Sequence, residues 1–164
     1  MPRNKELSVS PQPRLAVYVE GHGCTQNVGE TFAYREAIED LDGITVTDDP
    51  KEADVCLIGS CIVIDTTVQR ILERLEKYHA MGRVLALSGC MSKVLREDVL
   101  ARYPEIKMFE FTQTDDFRRW ILKIAGNAPK RDATAKNASI DDNAYASIGD
   151  IAAKPIIAKD PVNP

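Results

Sequence analysis

The sequence predicts an α/β fold, a three-layer sandwich with a five-stranded parallel sheet and helices on both faces. Three observations predict it. Short apolar runs alternate with amphipathic stretches at helical spacing along residues 14–126. Gly43, Gly82 and Gly126 stand where those amphipathic stretches stop. Of nine prolines, three fall in the first thirteen residues and four beyond residue 126, leaving only Pro50 and Pro104 between. The folded segment lies inside those proline borders.

The elements follow in order. Residues 14–20 (RLAVYVE) form the first strand, and 28–42 a helix with Phe32, Ile38 and Leu41 inward. Residues 44–47, rich in β-branched side chains, form a short second strand. Residues 54–59 (DVCLIG) form a third, buried strand, followed by a helix over 66–81 with Val68, Ile71, Leu72 and Leu75 on one face. Residues 83–88 (RVLALS) form the fourth strand and 93–103 the next helix. Residues 106–111 complete the sheet, and 115–125 form the last helix. Alternating strands and helices make right-handed βαβ units. Five such strands suit the flavodoxin-like order 2-1-3-4-5.

Residues 1–13 are expected to be a disordered leader. Residues 127–164 contain no Leu, Phe, Trp or Met and carry nine alanines, with five basic residues against five acidic. Such a stretch cannot bury enough apolar surface to offset its ordering entropy, so it is expected to be a flexible tail or linker. A short docked segment around 148–157 is compatible with that. No apolar run is long enough to span a bilayer, and residues 1–8 lack a signal-peptide core, so the expected location is cytoplasmic. A formal charge of −4 argues against tight binding of DNA or RNA by this chain alone. Four cysteines in a cytoplasmic chain point to thiols, metal ligands or catalytic groups before disulfides.

Cys24, Cys61 and Cys90 carry the functional signal. Each lies just beyond the C-terminal end of a predicted strand, and each precedes a helix. Ligands of open α/β sheets bind at that edge. The strands concerned are the first, third and fourth, which are neighbours in the expected order, so at ~4.8 Å per strand their ends fall within roughly 10 Å. A following helix N-terminus favours the thiolate, and Gly23, Gly59 and Gly89 let backbone approach a bulky anionic group. Soft thiolates select iron–sulfur clusters, zinc or copper(I). Structural zinc usually takes closely spaced cysteine pairs, and Cys24, Cys61 and Cys90 form none among themselves. Three widely separated ligands suit a [4Fe-4S] cluster with one iron left open. The competing reading is that buried cysteines are ordinary packing residues. That reading suits Cys56, inside the third strand between Val55 and Leu57.

These segments, YVEGHGCTQN, EADVCLIGSCIV and VLALSGCMSK, resemble the N-terminal domain of the radical-SAM methylthiotransferases. The likeness covers about residues 14–112 in both order and spacing. The GCTxN and SC variants look most like the archaeal and eukaryotic branch, which acts on N6-threonylcarbamoyladenosine in tRNA. The resemblance implies that Cys24, Cys61 and Cys90 hold an auxiliary [4Fe-4S] cluster whose open iron carries the sulfur to be transferred. Gly59 replaces the family's asparagine, and His22 stands where an aromatic or aliphatic residue is commoner. The family's C-x-x-x-C-x-x-C triplet and RNA-binding barrel are not in this sequence. A radical-SAM protein is therefore the expected partner, with tRNA reached only through it. A stand-alone electron-transfer or sensing protein and a non-radical sulfur transferase are the alternatives.

His22 either donates to a cluster sulfide or relays protons, or else is a solvent-exposed turn histidine. Asn27 is the family's asparagine, expected to organise the loop and cap the first helix near the cluster. His79, near a helix end, has no assigned function. Asp48, Asp49 and Asp54 are expected to be a solvated run rather than a cation site. GHGCTQNVG lacks the glycine spacing of a dinucleotide loop, with Gln26 at the critical place. Lys93, Arg96, Arg118 and Arg119 are expected to be scattered, solvated cations.

Overall fold

The computed structural model describes residues 15–63 and 65–127. The expected leader and almost all of the expected tail lie outside the described residues. The sheet contains β1 (Leu15–Gly21), β2 (Ile44–Thr47), β3 (Val55–Ser60), β4 (Val84–Gly89) and β5 (Lys107–Met108). Its order is β2-β1-β3-β4-β5, with every pairing parallel, as the alternation requires. The helices are α1 (Thr25–Glu39), α2 (Asp65–Ala80), α3 (Cys90–Val94), α4 (Arg96–Arg102) and α5 (Thr114–Asn127).

Two cores sandwich the sheet. On one face Cys56, Ile58, Leu85 and Leu87 pack against Ile71, Leu75 and Tyr78 of α2 and Val99 of α4. On the other, Val55, Leu57 and Ala86 meet Tyr34 and Ile38 of α1 and Phe117 and Ile121 of α5. All six residues of β3 are buried, as expected of a central parallel strand. Tyr34, Phe109 and Phe117 form an edge-on aromatic group with ring centroids 5.2–6.1 Å apart. Each buried ring contributes about 1.5–3 kcal/mol of transfer free energy. Among the described residues no helix is long and apolar enough to cross a membrane.

Four local expectations need correction. Phe32 is 62% exposed, because the buried stripe of α1 runs through Asn27, Glu30, Thr31, Tyr34 and Ile38. Polar residues in that stripe hid its phase. The helix expected over 93–103 is two helices, α3 and α4, divided at Leu95. β5 has two residues rather than six, since the chain leaves the sheet at Phe109, whose carbonyl accepts the Ser92 hydroxyl at 2.8 Å. Gly126 lies inside α5 rather than ending it.

Candidate functional site

The three cysteines leave the sheet at adjacent strand ends. Cys24 is the N-cap of α1, three residues past β1; Cys61 directly follows β3; Cys90 is the first residue of α3, directly after β4. β1 and β3 are paired so that Gly21 faces Gly59, and β3 and β4 so that Ser60 faces Gly89. Cys61 is therefore flanked by the other two. Cys24 is exposed, Cys90 half-buried and Cys61 buried.

Backbone geometry forces two glycines here. Gly23 has φ +107°, and a Cβ there would lie 3.0 Å from the Cys61 Sγ. Gly89 has φ +85°, and its Cβ would lie 2.3 Å from the Ser60 carbonyl oxygen. A side chain at Gly23 would collide with Cys61, and one at Gly89 with the Ser60 backbone. At Gly59 a Cβ would press on the Thr31 methyl at 2.8 Å, so the family's asparagine does not fit beside α1 as placed here.

The electrostatics favour an anion at Cys61. The backbone N–H of Val63 holds this thiol below its ordinary range against the opposing effect of burial, helped by the N–H groups of Cys24 and Ile62 and the Cys24 thiol. Cys56 behaves oppositely: burial pushes it up to about 12, so it stays protonated inside the core.

Asn27 does not cap α1; it lies within the helix, 1% exposed, with both side-chain polar atoms lacking a hydrogen-bond partner. Its Oδ1 lies 3.2 Å from where a Gly89 Cβ would sit, so the amide is directed at the Cys90 turn. A buried amide without partners costs about 1–3 kcal/mol unless something arrives to meet it. His22 is not a solvent-exposed turn residue. Its side chain is 15% exposed, with Nε2 3.4 Å from Glu20 Oε2. Glu20 accepts from Tyr18 at 3.0 Å and Tyr78 at 2.9 Å. Burial raises the Glu20 carboxyl, but the nearby His22 ring and the hydrogen bond from Tyr78 outweigh it and leave the group below its ordinary range.

Sequence reasoning missed Glu20, Glu30 and Ser88. Glu30 is 8% exposed with both carboxylate oxygens unpartnered, and Ser88 Oγ is unpartnered too. The signal for Glu30 was its place three residues after Asn27, on the same helical face. Burial raises the Glu30 carboxyl. A carboxyl raised on folding binds more protons folded than unfolded, so stability falls as pH rises from the unfolded value through the folded one. Glu30→Gln should therefore stabilise the fold at neutral pH by roughly 1 kcal/mol. That gain should vanish below the ordinary glutamate range, and thermal melts at the two pH values measure it.

The acidic run is engaged locally: Asp48 pairs with Arg35 at 2.9 Å, Asp49 accepts the Lys51 N–H and Asp54 accepts the Ala16 N–H. Among the described residues no three His, Cys, Asp or Glu side chains close on one point as a single metal ion demands. Zinc would draw thiolates to about 2.3 Å from one centre. A multi-iron cluster is larger, and its ligands stand further apart. The soft three-thiol donor set, the glycine-lined space and the unpaired Asn27 amide fit such a group.

A family profile described as "Uncharacterized protein family UPF0004" matches residues 16–110, including all three cysteines. The chain belongs to this family. Proteins similar to this UPF0004 chain include the tRNA-2-methylthio-N(6)-dimethylallyladenosine synthase of Porphyromonas gingivalis, 30% identical over 53% of this chain and 20% of its own length. The probable threonylcarbamoyladenosine tRNA methylthiotransferase of Methanocaldococcus jannaschii is 31% identical over 52% and 20%. A ribosomal protein uS12 methylthiotransferase of Prochlorococcus marinus is 24% identical over 78% and 27%. The resemblance read from the cysteine segments is thus borne out. Identities of 30% and 31% do not separate the dimethylallyl from the threonylcarbamoyl branch. The chain spans about one fifth of the length of the first two relatives.

Proposed function

We propose that this chain holds an open-site [4Fe-4S] cluster on Cys24, Cys61 and Cys90 and is the sulfur-carrying half of tRNA methylthiolation. The observation that supports this most is the placement of three cysteines at the mouths of three adjacent parallel strands. When bound, the cluster would supply an iron open to an external sulfur ligand. The chain's own part is to present three thiolates, to keep Cys61 anionic through backbone N–H groups and to offer the Asn27 amide. Glu20 holds His22 beside the same loop. Radical formation belongs to a radical-SAM protein, carried on a partner or on further chain like that of the relatives.

The test incubates anaerobically reconstituted protein with reductant, S-adenosylmethionine and tRNA, with and without a radical-SAM protein. Methylthiolated nucleoside that appears only with the radical-SAM protein is the expected result. Release of 5′-deoxyadenosine by this chain alone would overturn the division of labour. Iron loading without product in any mixture would leave an electron-transfer or sensing protein.

A further inference from the structure

A second feature stands along the edge of the sheet, at β5, the neighbour of the strand that leads into Cys90. Between β5, the start of α4 and one face of α5 lies a cleft of about 460 Å³. Asp116, Arg119, Trp120 and Lys123 line it from α5 at the i, i+3, i+4, i+7 spacing of one helical face. Arg96 and Lys107 line the opposite side. The sequence alone left Arg96 and Arg119 as scattered cations; the fold gathers them with Lys107 and Lys123. Four cations thus face two acids, Glu110 and Asp116, and Asp116 is already paired with Arg119. In a chain of net charge −4 this is a local excess of positive charge. β5 is an edge strand of two residues, so among the described residues no further strand covers the cleft.

The cleft also has an aromatic wall. Trp120 is half-buried, packed on Phe109 at 5.6 Å between ring centroids, and its remaining surface lines the opening. Cations spaced around an aromatic face suit a flexible polyanion whose units carry flat rings. Phosphate alone would need the charges but not the indole, and an acidic peptide would leave the indole unused. Ser92, two residues after Cys90, donates to both the Gly89 and Phe109 carbonyls, at 2.7 and 2.8 Å. The cleft floor is therefore tied to the Cys90 turn.

We infer that this cleft is a weak contact site for single-stranded RNA, which places a nucleotide strand beside the cysteine edge. Its purpose rests on the sulfur-carrying reading; its binding does not. A few phosphate contacts give a dissociation constant of about 10⁻⁵ M at low salt, with a salt slope of roughly −0.7 per contact. This is compatible with the absence of tight binding expected from net charge.

The experiment titrates the iron-free full chain with a short, labelled single-stranded oligoribonucleotide, following anisotropy and the fluorescence of Trp120, the only tryptophan. Binding with quenching of Trp120 is expected. Lys107→Glu with Lys123→Glu should weaken it at least tenfold and flatten the salt slope by about 1.4 or more. Both lysines are exposed, so circular dichroism should confirm an unchanged fold. Arg70→Glu, an exposed change on α2 across the sheet, should leave binding as it was. An equal loss from Arg70→Glu, equal affinity for polyglutamate, or no quenching would overturn the site. RNA binding without methylthiolation in the partner assay would overturn the proposed function alone.

Discussion

Alanine at Cys24, Cys61 or Cys90 is expected to abolish stable iron binding in each case, whereas Cys56→Ala keeps full iron content. Three thiols are all that the strand-end loops offer, so each loss leaves two ligands for a cluster that needs three. The effect is expected to be all-or-none because no fourth cysteine stands at these strand ends. Cys56 sits inside β3 with its thiol pushed up to about 12 and faces the α2 core, away from solvent. Removing its sulfur should cost about 1 kcal/mol of stability and nothing in loading. Iron counting and paramagnetic resonance spectra after anaerobic reconstitution read both outcomes. Iron lost from Cys56→Ala and kept by any of the other three would reverse the ligand assignment.

Gly89→Ala should be the most damaging single change to the scaffold beneath the site. At φ +85° and ψ −158° the backbone lies in a region essentially reserved for glycine, which costs any other residue about 1–3 kcal/mol. The new methyl also meets the Ser60 carbonyl oxygen at 2.3 Å, a backbone atom held in the β3–β4 ladder that cannot swing aside. The sum is roughly 3–5 kcal/mol, and Tm should fall by about 10 °C or more. Gly29→Ala is the matched contrast. It lies in α1 with nothing within 4 Å of the added carbon, and should stabilise by about 0.5–1 kcal/mol. Equal melting temperatures for the two variants would contradict the geometry.

The strand–helix alternation made the sheet and its order legible before any coordinates, because a parallel crossover leaves few topologies. The cysteine positions were legible for the same reason: strand ends can be read from apolar runs, and the order places three of them side by side. What stayed hidden depends on packing across elements. Polarity hid Asn27, Glu30 and Thr31 as the buried stripe of α1 and pointed instead to Phe32, which the structure leaves exposed. The basic cleft was hidden too, since Arg96, Lys107, Arg119 and Lys123 come from three separate elements. His22 looked like a surface turn because its partner network, Glu20 with Tyr18 and Tyr78, bridges β1 and α2.

The closeness of Cys24 to an activated Cys61 sets a race during maturation. A thiol depressed by backbone N–H groups, with a second thiol at hydrogen-bond range, is primed to be oxidised as well as metallated. In air the newly folded protein should close a sulfur–sulfur bridge between these two residues, leaving Cys90 as a lone thiol with no iron to share. On the proposed reading, oxygen then competes for two of the three atoms that would hold iron. The fraction of protein left able to take up iron would then be set by the redox poise at the moment of folding.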